Sequence, residues 1–258
     1  MNYKLLVDTA MLAGEIMLTG GAETYRVEDT MCRILKISGL EKTETFVTPT
    51  GIFLTLGDSN IDSITAVKRV DNRVTNISNI YETNNISRNL CAGKITLEEA
   101  YEALKKIREK KRYKKALIYI CTMISSFSFT ILLGGDWFNS IIAFLNGGLI
   151  VLVMLATQNI KISSFITNMV SSILVAFNSM IFLHYFGTAI SLDPLIGGSV
   201  MPLLPGVAIT NAIRDTLQGD YVSGGARAIE AFVSAASTAA GIGIGIGFYS
   251  IIAGGIAL

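Results

Sequence analysis

The stretch Met201-Pro202-Leu203-Leu204-Pro205-Gly206, followed by Asn211-Ala212-Ile213-Arg214-Asp215, interrupts a part of the chain that is otherwise apolar enough for membrane helices. Proline lacks a backbone N–H and kinks or breaks a helix. Inside a bilayer, a broken helix is tolerated only where the freed backbone groups face protein or a water-filled cavity. The stretch therefore predicts a pathway for a solute.

Charged residues divide the chain near residue 115. Residues 1–115 hold 18 Lys and Arg against 15 Asp and Glu, whereas residues 116–258 hold 3 against 5. We therefore predict an N-terminal domain over 1–115 and a transmembrane domain over 116–258. Asp8 and Glu15 interrupt the first apolar run, which is not typical of a signal peptide, so we expect the N-terminal domain to be cytosolic.

The period of the apolar residues changes twice within the N-terminal domain. Helical spacing gives way to runs rich in Thr, Val, Ile and Phe and then returns, which predicts an α+β domain in the order ααβββαα with an antiparallel meander. Thr96 and Glu99 fit a capping box at the last helix. The predicted helices cover 3–19, about 23–38, 73–91 and 97–115, and the predicted strands cover 43–48, 52–56 and 61–70.

Five uncharged or nearly uncharged stretches are each close to the roughly 20 residues that cross a bilayer as a helix. They predict a multi-span α-helical membrane protein with spans near 116–133, 139–157, 162–186, 195–213 and 228–257. A basic cluster at 105–115 precedes the first span, and we expect it to mark the cytoplasmic side and to touch anionic headgroups, with nucleic-acid binding as the weaker alternative. Lys161, Arg214 and Arg227 fall on the same side and Asp136 and Asp193 on the other, so the N-terminus is inside and the C-terminus outside.

Residue types for catalysis are scarce. His184 is the single histidine, and Cys32, Cys91 and Cys121 lie too far apart for a metal or redox motif. No nucleophile or zinc motif is present, which argues against a membrane-embedded hydrolase. We expect no enzyme activity, catalytic residue, metal or cofactor.

Glycines at every second position of 241–247 lack the context of a nucleotide-binding loop and predict close helix packing instead.

Ionisable residues gather around the fourth and fifth predicted spans. Such groups are costly near membrane depth and usually face a cavity or pair with one another. Asn211, Asp215, Arg227 and Glu230 therefore form a candidate polar vestibule on the cytoplasmic side. Structural ion pairs, Asp215 with Arg227 or Arg227 with Glu230, are the alternative, and a simple kink is the alternative for the proline break.

Three charged residues lie within two turns of the second predicted helix: Glu23, Arg26 and Glu28. Taken alone, this pattern is more typical of a solvated helix face, because exposed ion pairs are common and weak.

Two sets of motifs resemble one known family. The run 21–30, GAETYRVEDT, followed by 46–51, FVTPTG, resembles the N-terminal part of the threonine/serine exporter family. A second set of residues resembles the family's membrane signature: Leu204-Pro205-Gly206, the run 211–215, Gly219-Asp220, Ser223-Gly224, Arg227 and Glu230. The matches occur in the right order over most of the chain. They look most like the larger component of a bacterial two-protein succinate exporter.

The resemblance implies a subunit of a secondary transporter that exports threonine, serine or a dicarboxylate such as succinate across the bacterial inner membrane. Exporters of the family carry a second set of spans, so a small membrane protein is the expected partner, beside the lipid bilayer and a small-molecule substrate. A homo-oligomer remains open, and nucleic acid is not expected. A membrane-anchored sensor or scaffold with a cytosolic ligand-binding domain is the competing function.

The resemblance also implies site residues. The candidate translocation residues are Pro205, Gly206, Asn211, Asp215, Arg227 and Glu230, and the candidate cytosolic functional face is Glu23, Arg26 and Glu28. Our hypothesis is that Arg227 holds a substrate carboxylate, and that Asp215 or Glu230 contacts an amino group or a coupling proton.

Overall fold

The computed structural model describes residues 1–59, 61–71, 74–110, 113–157 and 162–253. Several predicted features lie outside the described residues: Asn60 of a turn, Arg73 at a helix start, Lys111, Arg112 and Lys161 on the cytoplasmic side, and the end of the fifth span beyond 253. The chain forms two compact units. The first unit is Met1–Lys111 with Gly206–Ile229, and the second unit is Arg112–Pro205 with Glu230–Leu258.

The described part of the chain is mostly helical and contains one small sheet. In chain order the elements are α1 (Tyr3–Thr19), α2 (Thr24–Lys36), β1 (Lys42–Thr48), β2 (Gly51–Asp58), β3 (Ile61–Arg69), α3 (Ile77–Cys91), α4 (Leu97–Glu109), α5 (Lys115–Leu132), α6 (Trp137–Thr157), α7 (Ser164–Phe186), α8 (Leu192–Val200), α9 (Gly206–Leu217) and α10 (Tyr221–Ile252), with short 3-10 turns at Gly187–Ala189 and Met201–Leu203. The predicted order ααβββαα for the N-terminal domain is confirmed.

The sheet of the first unit is the predicted antiparallel meander in the order β1-β2-β3. Side chains alternate between its faces, so Val47, Ile52 and Leu54 are buried while Phe46 and Phe53, which are register partners, stay exposed. The buried face joins the apolar stripes of α1 and α2 in one core, to which Leu6, Met17, Met31 and Leu35 contribute. This core holds the α1–α2 turn in place.

Helix α4 begins as predicted and ends earlier. The Thr96 N–H donates to Glu99 Oε2 at 2.8 Å and the Glu99 N–H to Thr96 Oγ1 at 3.2 Å, so the capping box is present. The helix ends at Glu109 and a new helix begins at Lys115, whereas the sequence predicted one helix over 97–115. The basic cluster therefore includes the end of α4 and the start of α5.

Within the described residues, four helices are long and apolar enough to cross a membrane, or five if the broken pair Leu192–Leu203 and Gly206–Leu217 is counted as one span. The predicted spans near 116–133, 139–157 and 162–186 correspond to α5, α6 and α7. The prolines act as predicted, because α8 ends at Val200 and α9 starts only at Gly206. The fourth stretch is therefore two helices.

The last helix starts seven residues before the predicted span. Gly219 has φ +90°, a left-handed conformation that suits glycine, and the Ser223 N–H donates to Asp220 Oδ1 at 3.0 Å. This N-cap starts α10 at Tyr221 and places Arg227 inside the helix, where the sequence had placed it in a flanking loop.

One of the two glycine faces on α10 packs closely. A Cβ at Gly245 would lie 2.5 Å from the carbonyl oxygen of Ile173 on α7, and a Cβ at Gly241 would overlap Ser172. A Cβ at Gly243 or Gly247 would meet nothing within 4 Å. The predicted packing role holds for Gly241 and Gly245, since only their face lies against α7.

Candidate functional site

The candidate site of the first unit is built on the turn between α1 and α2. Gly21 has φ +86°, and the carbonyl oxygens of Gly21 and Ala22 both accept side-chain hydrogen bonds. Asn211 Nδ2 donates to Gly21 O at 2.9 Å, and Arg227 Nη2 donates to Ala22 O at 2.9 Å. The sequence predicted these residues as two separate sets, and the fold brings them together.

Asp215 caps helix α2 from a segment 191 residues further along the chain. Glu23 occupies the N-cap position of α2 but makes no side-chain capping bond. The Thr24 N–H donates instead to Asp215 Oδ1 at 3.1 Å, and Thr24 Oγ1 donates to Asp215 Oδ2 at 3.2 Å. A carboxylate at this position also interacts favourably with the positive end of the helix dipole.

Asp215 and Arg227 form a buried ion pair. Arg227 Nε lies 3.0 Å from Asp215 Oδ2, and their side chains are 5% and 0% exposed. Buried charges need both a partner and further hydrogen bonds, which Thr24 and Ala22 supply. Of the two pairings considered from the sequence, the structure shows Asp215 with Arg227. Both groups are already engaged by protein.

Glu23 lies between two arginines. Its Oε1 pairs with Arg214 Nη1, and its Oε2 lies 3.7 Å from Arg26 Nη1. The Glu23 side chain is 9% exposed, whereas Arg26 and Arg214 are about half-exposed. Burial acts to raise the pKa of Glu23, but the backbone hydrogen bond and the two guanidinium groups outweigh burial and lower that pKa below its usual value. Glu23 is therefore ionised at neutral pH.

These groups line a cavity of about 580 Å³, which we call the Glu23 pocket. Its volume lies in the range of small-molecule sites, roughly 300–1,000 Å³. Apolar side chains form part of the wall, and charged and neutral polar side chains and glycines form the rest. The lining residues are Gly20, Gly21, Glu23, Arg26, Thr75, Ile77, Ile80, Tyr81, Gly206, Val207, Thr210, Asn211 and Arg214.

Four of the predicted site residues line the pocket: Glu23, Arg26, Gly206 and Asn211. Asp215 and Arg227 hold the turn that carries Glu23. Pro205 and Glu230 belong to the second unit, and Glu230 is exposed on α10.

Glu28 lies further along α2 and does not line the pocket. Its Oε1 accepts from the Val47 N–H at 2.7 Å. Burial raises the pKa of Glu28; the Val47 hydrogen bond opposes that shift, and the charges of Asp220 and Asp215 add to it. The net pKa of Glu28 lies above its usual value, opposite in direction to that of Glu23.

Sequence reasoning missed several pocket residues, above all Arg214, which served only as a marker of orientation. Its spacing carried the signal: Thr210, Asn211 and Arg214 lie at i, i+1 and i+4, which is one side of a helix. Tyr81 lies in the first turns of α3, and Thr75 lies in the segment before that helix. No local pattern connects them to α9.

A second polar cluster lies inside the second unit and was not predicted. Asn146 Nδ2 donates to Ser179 Oγ at 3.1 Å and to Ser199 Oγ at 3.0 Å, and Asn146 Oδ1 accepts from Asn178 Nδ2 at 2.8 Å. Asn146, Ser179 and Ser199 are completely buried. An asparagine in the middle of an apolar helix was the available signal. The cluster ties α6, α7 and α8 together.

Among the residues that the structure describes, no group of three or more His, Cys, Asp and Glu side chains could hold a metal ion. The Glu23 pocket presents charged and neutral hydrogen-bonding groups.

Comparison with known proteins supplies the family. The model of a family described as putative threonine/serine exporter matches residues 8–249. The chain belongs to this family. It is 23% identical over 247 residues to a threonine/serine exporter of Corynebacterium glutamicum, covering 93% of this chain and 50% of that protein. It is 22% identical over 247 residues to a probable threonine/serine exporter of Mycobacterium tuberculosis (strain ATCC 25618 / H37Rv), covering 94% of this chain and 46% of that protein.

The member described here thus spans about half the length of the curated relatives it matches. No solved structure matches it. Family membership and the apolar helices together make it a multi-pass membrane protein.

Proposed function

We propose that this chain is one component of an exporter of threonine and serine, and that the Glu23 pocket binds the substrate on the cytoplasmic side. The position of Glu23 between Arg26 and Arg214 carries the proposal. The family match and the names of the relatives support the substrate class.

The charges of the pocket complement a zwitterion. The substrate carboxylate would exchange for Glu23 on Arg26 and Arg214, because guanidinium groups bind carboxylates through paired hydrogen bonds. Glu23 would then accept from the substrate ammonium group. Thr210 and Asn211, which line the same pocket, are suited to a substrate hydroxyl. Half-exposed arginine side chains can make this exchange without unfolding the site.

Succinate is the second candidate substrate. Two guanidinium groups in one pocket favour a ligand with two carboxylates, as the resemblance to succinate exporters also implies. The Glu23 carboxylate disfavours succinate. When the two arginines bind a dicarboxylate, the ligand offers no cationic group that could pair with Glu23 in their place. We therefore expect amino acids to be preferred over succinate.

The buried pair Asp215–Arg227 has a supporting role in this proposal. Each side chain is at most 5% exposed and already bound to the α1–α2 turn. We infer that the pair positions Glu23, in place of the earlier hypothesis that Arg227 itself holds the substrate carboxylate. Pro205 and Gly206 would supply the break that lets α9 contribute to the pocket.

We further propose that a second membrane protein completes the exporter, as the resemblance to a two-protein exporter implies. The basic cluster beside the first span supports an orientation with the N-terminal domain in the cytosol and the C-terminus outside. The bacterial inner membrane is the proposed location, which the resemblance also implies. A complex with more than one copy of this chain is compatible with the proposal.

Efflux measurements test the proposed function. Cells lacking the native exporters are loaded with threonine, serine or succinate and receive this chain alone, the partner alone or both. We expect efflux of threonine and serine with both proteins, and a loss of about tenfold or more in Glu23→Gln or Arg214→Gln. Asp29→Asn and Arg33→Gln alter an exposed ion pair on the same helix and should leave efflux unchanged.

The sensor or scaffold alternative predicts a different outcome. Purified protein would bind threonine with a dependence on Glu23, while efflux would stay the same with or without the chain. Efflux that persists unchanged in both pocket variants at normal expression contradicts the proposed site.

A further inference from the structure

A cluster of positive charge lies at the end of the first of the two segments that form the first unit, Met1–Lys111. Residues 105–115 contain eight Lys and Arg and one acidic residue, Glu109. The described basic side chains of this stretch lie on the surface: Lys106, Arg108, Lys110, Lys114 and Lys115 are exposed and Lys105 is half-buried. One or two cations in the last turn would be enough to complement the dipole of α4. The stretch therefore carries more cations than the helix dipole needs.

The basic stretch is tethered to the first candidate span. Lys110 is five residues before Lys115, the first residue of α5. Five residues of extended chain reach about 18 Å at most. Tyr113, which lies within this tether, is 65% exposed, and exposed tyrosines of this kind are enriched at membrane–water interfaces.

Next to these cations, α3 and α4 form an open surface cavity of about 620 Å³. Ile86, Ala103 and Ile107 give it an apolar wall. Its other lining residues are polar or charged: Lys106, Lys110, Asn85, Glu82 and Glu109. Lys110 Nζ pairs with Glu82 Oε1 at 2.7 Å, with side chains 59% and 36% exposed. An ion pair as exposed as this one is weak and can be exchanged for another anion.

We propose that this surface binds anionic phospholipid, with the phosphate on Lys106 and Lys110 and the surrounding cations held at the headgroup layer. A lipid supplies both an anion and apolar glycerol and acyl groups, which match the cations and the apolar wall of the cavity. A free phosphate matches only the cations. This proposal concerns a site separate from the Glu23 pocket and does not depend on the substrate.

The test uses the full chain, purified in detergent, and measures retained lipid by native mass spectrometry after addition of phosphatidylglycerol or phosphatidylcholine. We expect preferential retention of phosphatidylglycerol, reduced at least about tenfold in the variant Lys105→Gln, Lys106→Gln, Arg108→Gln, Lys110→Gln. Glutamine has a helix propensity close to that of lysine, so α4 should stay folded. Thermal unfolding of the variant checks this directly.

The control variant removes the same charge elsewhere in the first unit, at the exposed residues Lys4, Lys36, Lys42 and Lys94, each changed to glutamine. It should retain phosphatidylglycerol as the unmodified protein does. Three results overturn the proposal: equal retention of the two lipids, equal loss in the control variant, or full displacement of phosphatidylglycerol by millimolar inorganic phosphate, which would make the surface a phosphate site.

Discussion

The two compact units differ in how they distribute apolar and polar side chains between interior and surface. The core of the first unit is apolar, with Leu6, Met17 and Leu35 fully buried, and its one buried ion pair is Asp215 with Arg227 among the described residues. The second unit buries small polar side chains such as Ser126, Asn146, Ser172, Ser179 and Ser199, while Leu132 and Trp137 are more than 70% exposed.

This contrast reflects two solvents. In water, burial of apolar surface drives folding, so apolar side chains face inward. In lipid, apolar surface gains nothing by turning inward, and helices associate through close packing of small residues and interhelical hydrogen bonds. The second unit has the pattern expected in lipid and the first unit the pattern expected in water.

The largest expected effect comes from breaking the buried ion pair of the first unit. Arg227→Met leaves the Asp215 carboxylate buried without its cation and should destabilise the first unit by about 3–5 kcal/mol. Thermal unfolding and limited proteolysis of the purified protein measure the change. The double variant Asp215→Leu with Arg227→Met should recover at least half of the lost stability. No recovery would mean that the pair itself is not the source.

The second prediction separates two glycine positions on one helix of the second unit. Gly245→Ala forces a Cβ against the Ile173 carbonyl and should cost about 2 kcal/mol through overpacking. Gly243→Ala meets open space and should be neutral or slightly stabilising, because alanine favours helix more than glycine does. Thermal unfolding in detergent compares the two. Equal effects would show that this face of α10 does not pack against α7.

The third prediction concerns the polar interior of the second unit. Asn146→Leu removes three interhelical hydrogen bonds and should destabilise the unit by about 1–2 kcal/mol, since such bonds average about 0.6 kcal/mol each in membranes. Leu152→Ala on the exposed face of the same helix is the control and should change little. A stabilising Asn146→Leu would indicate that α6, α7 and α8 are held by packing alone.

The smallest expected effect is a pH dependence in the first unit. Because the pKa of Glu28 is raised in the folded protein, stability falls as pH rises from the unfolded pKa of glutamate through the folded pKa of Glu28, and the loss is complete above the folded pKa. Glu28→Gln keeps the acceptor for the Val47 N–H and removes that charge. It should stabilise the protein above neutral pH by less than about 1 kcal/mol, given partial screening by solvent. Below the unfolded pKa of glutamate the difference should vanish; a gain that is equal at pH 4 and pH 8 would contradict this cause.

Local sequence patterns predicted most elements of the fold. The apolar period identified α1, α2 and the meander, and Thr96 with Glu99 identified the start of α4, because each signal lies within a few residues of the structure that it specifies. The first three spans followed from the length of apolar runs. Boundaries were less accurate where a cap such as Asp220 moved a helix start.

Part of the candidate site could also be predicted, but as two unconnected sets. Glu23 and Arg26 on one side and Asn211 on the other were candidates from motif resemblance, with no indication that they line one cavity. Thr75 was missed because no periodicity relates it to α2 or α9, whereas Arg214 was missed although its helical spacing from Thr210 and Asn211 was visible.

The sequence by itself determined where the helix breaks, since Pro202 and Pro205 lack the backbone N–H that an uninterrupted helix needs. Only the tertiary structure determined which unit the segment after the break belongs to and what that segment contacts. It assigns Gly206–Ile229 to the first unit, where Asp215 caps α2 and Arg227 holds the turn. Hydrogen bonds across about 190 residues depend on how the chain packs, and the local pattern contains no information on that packing.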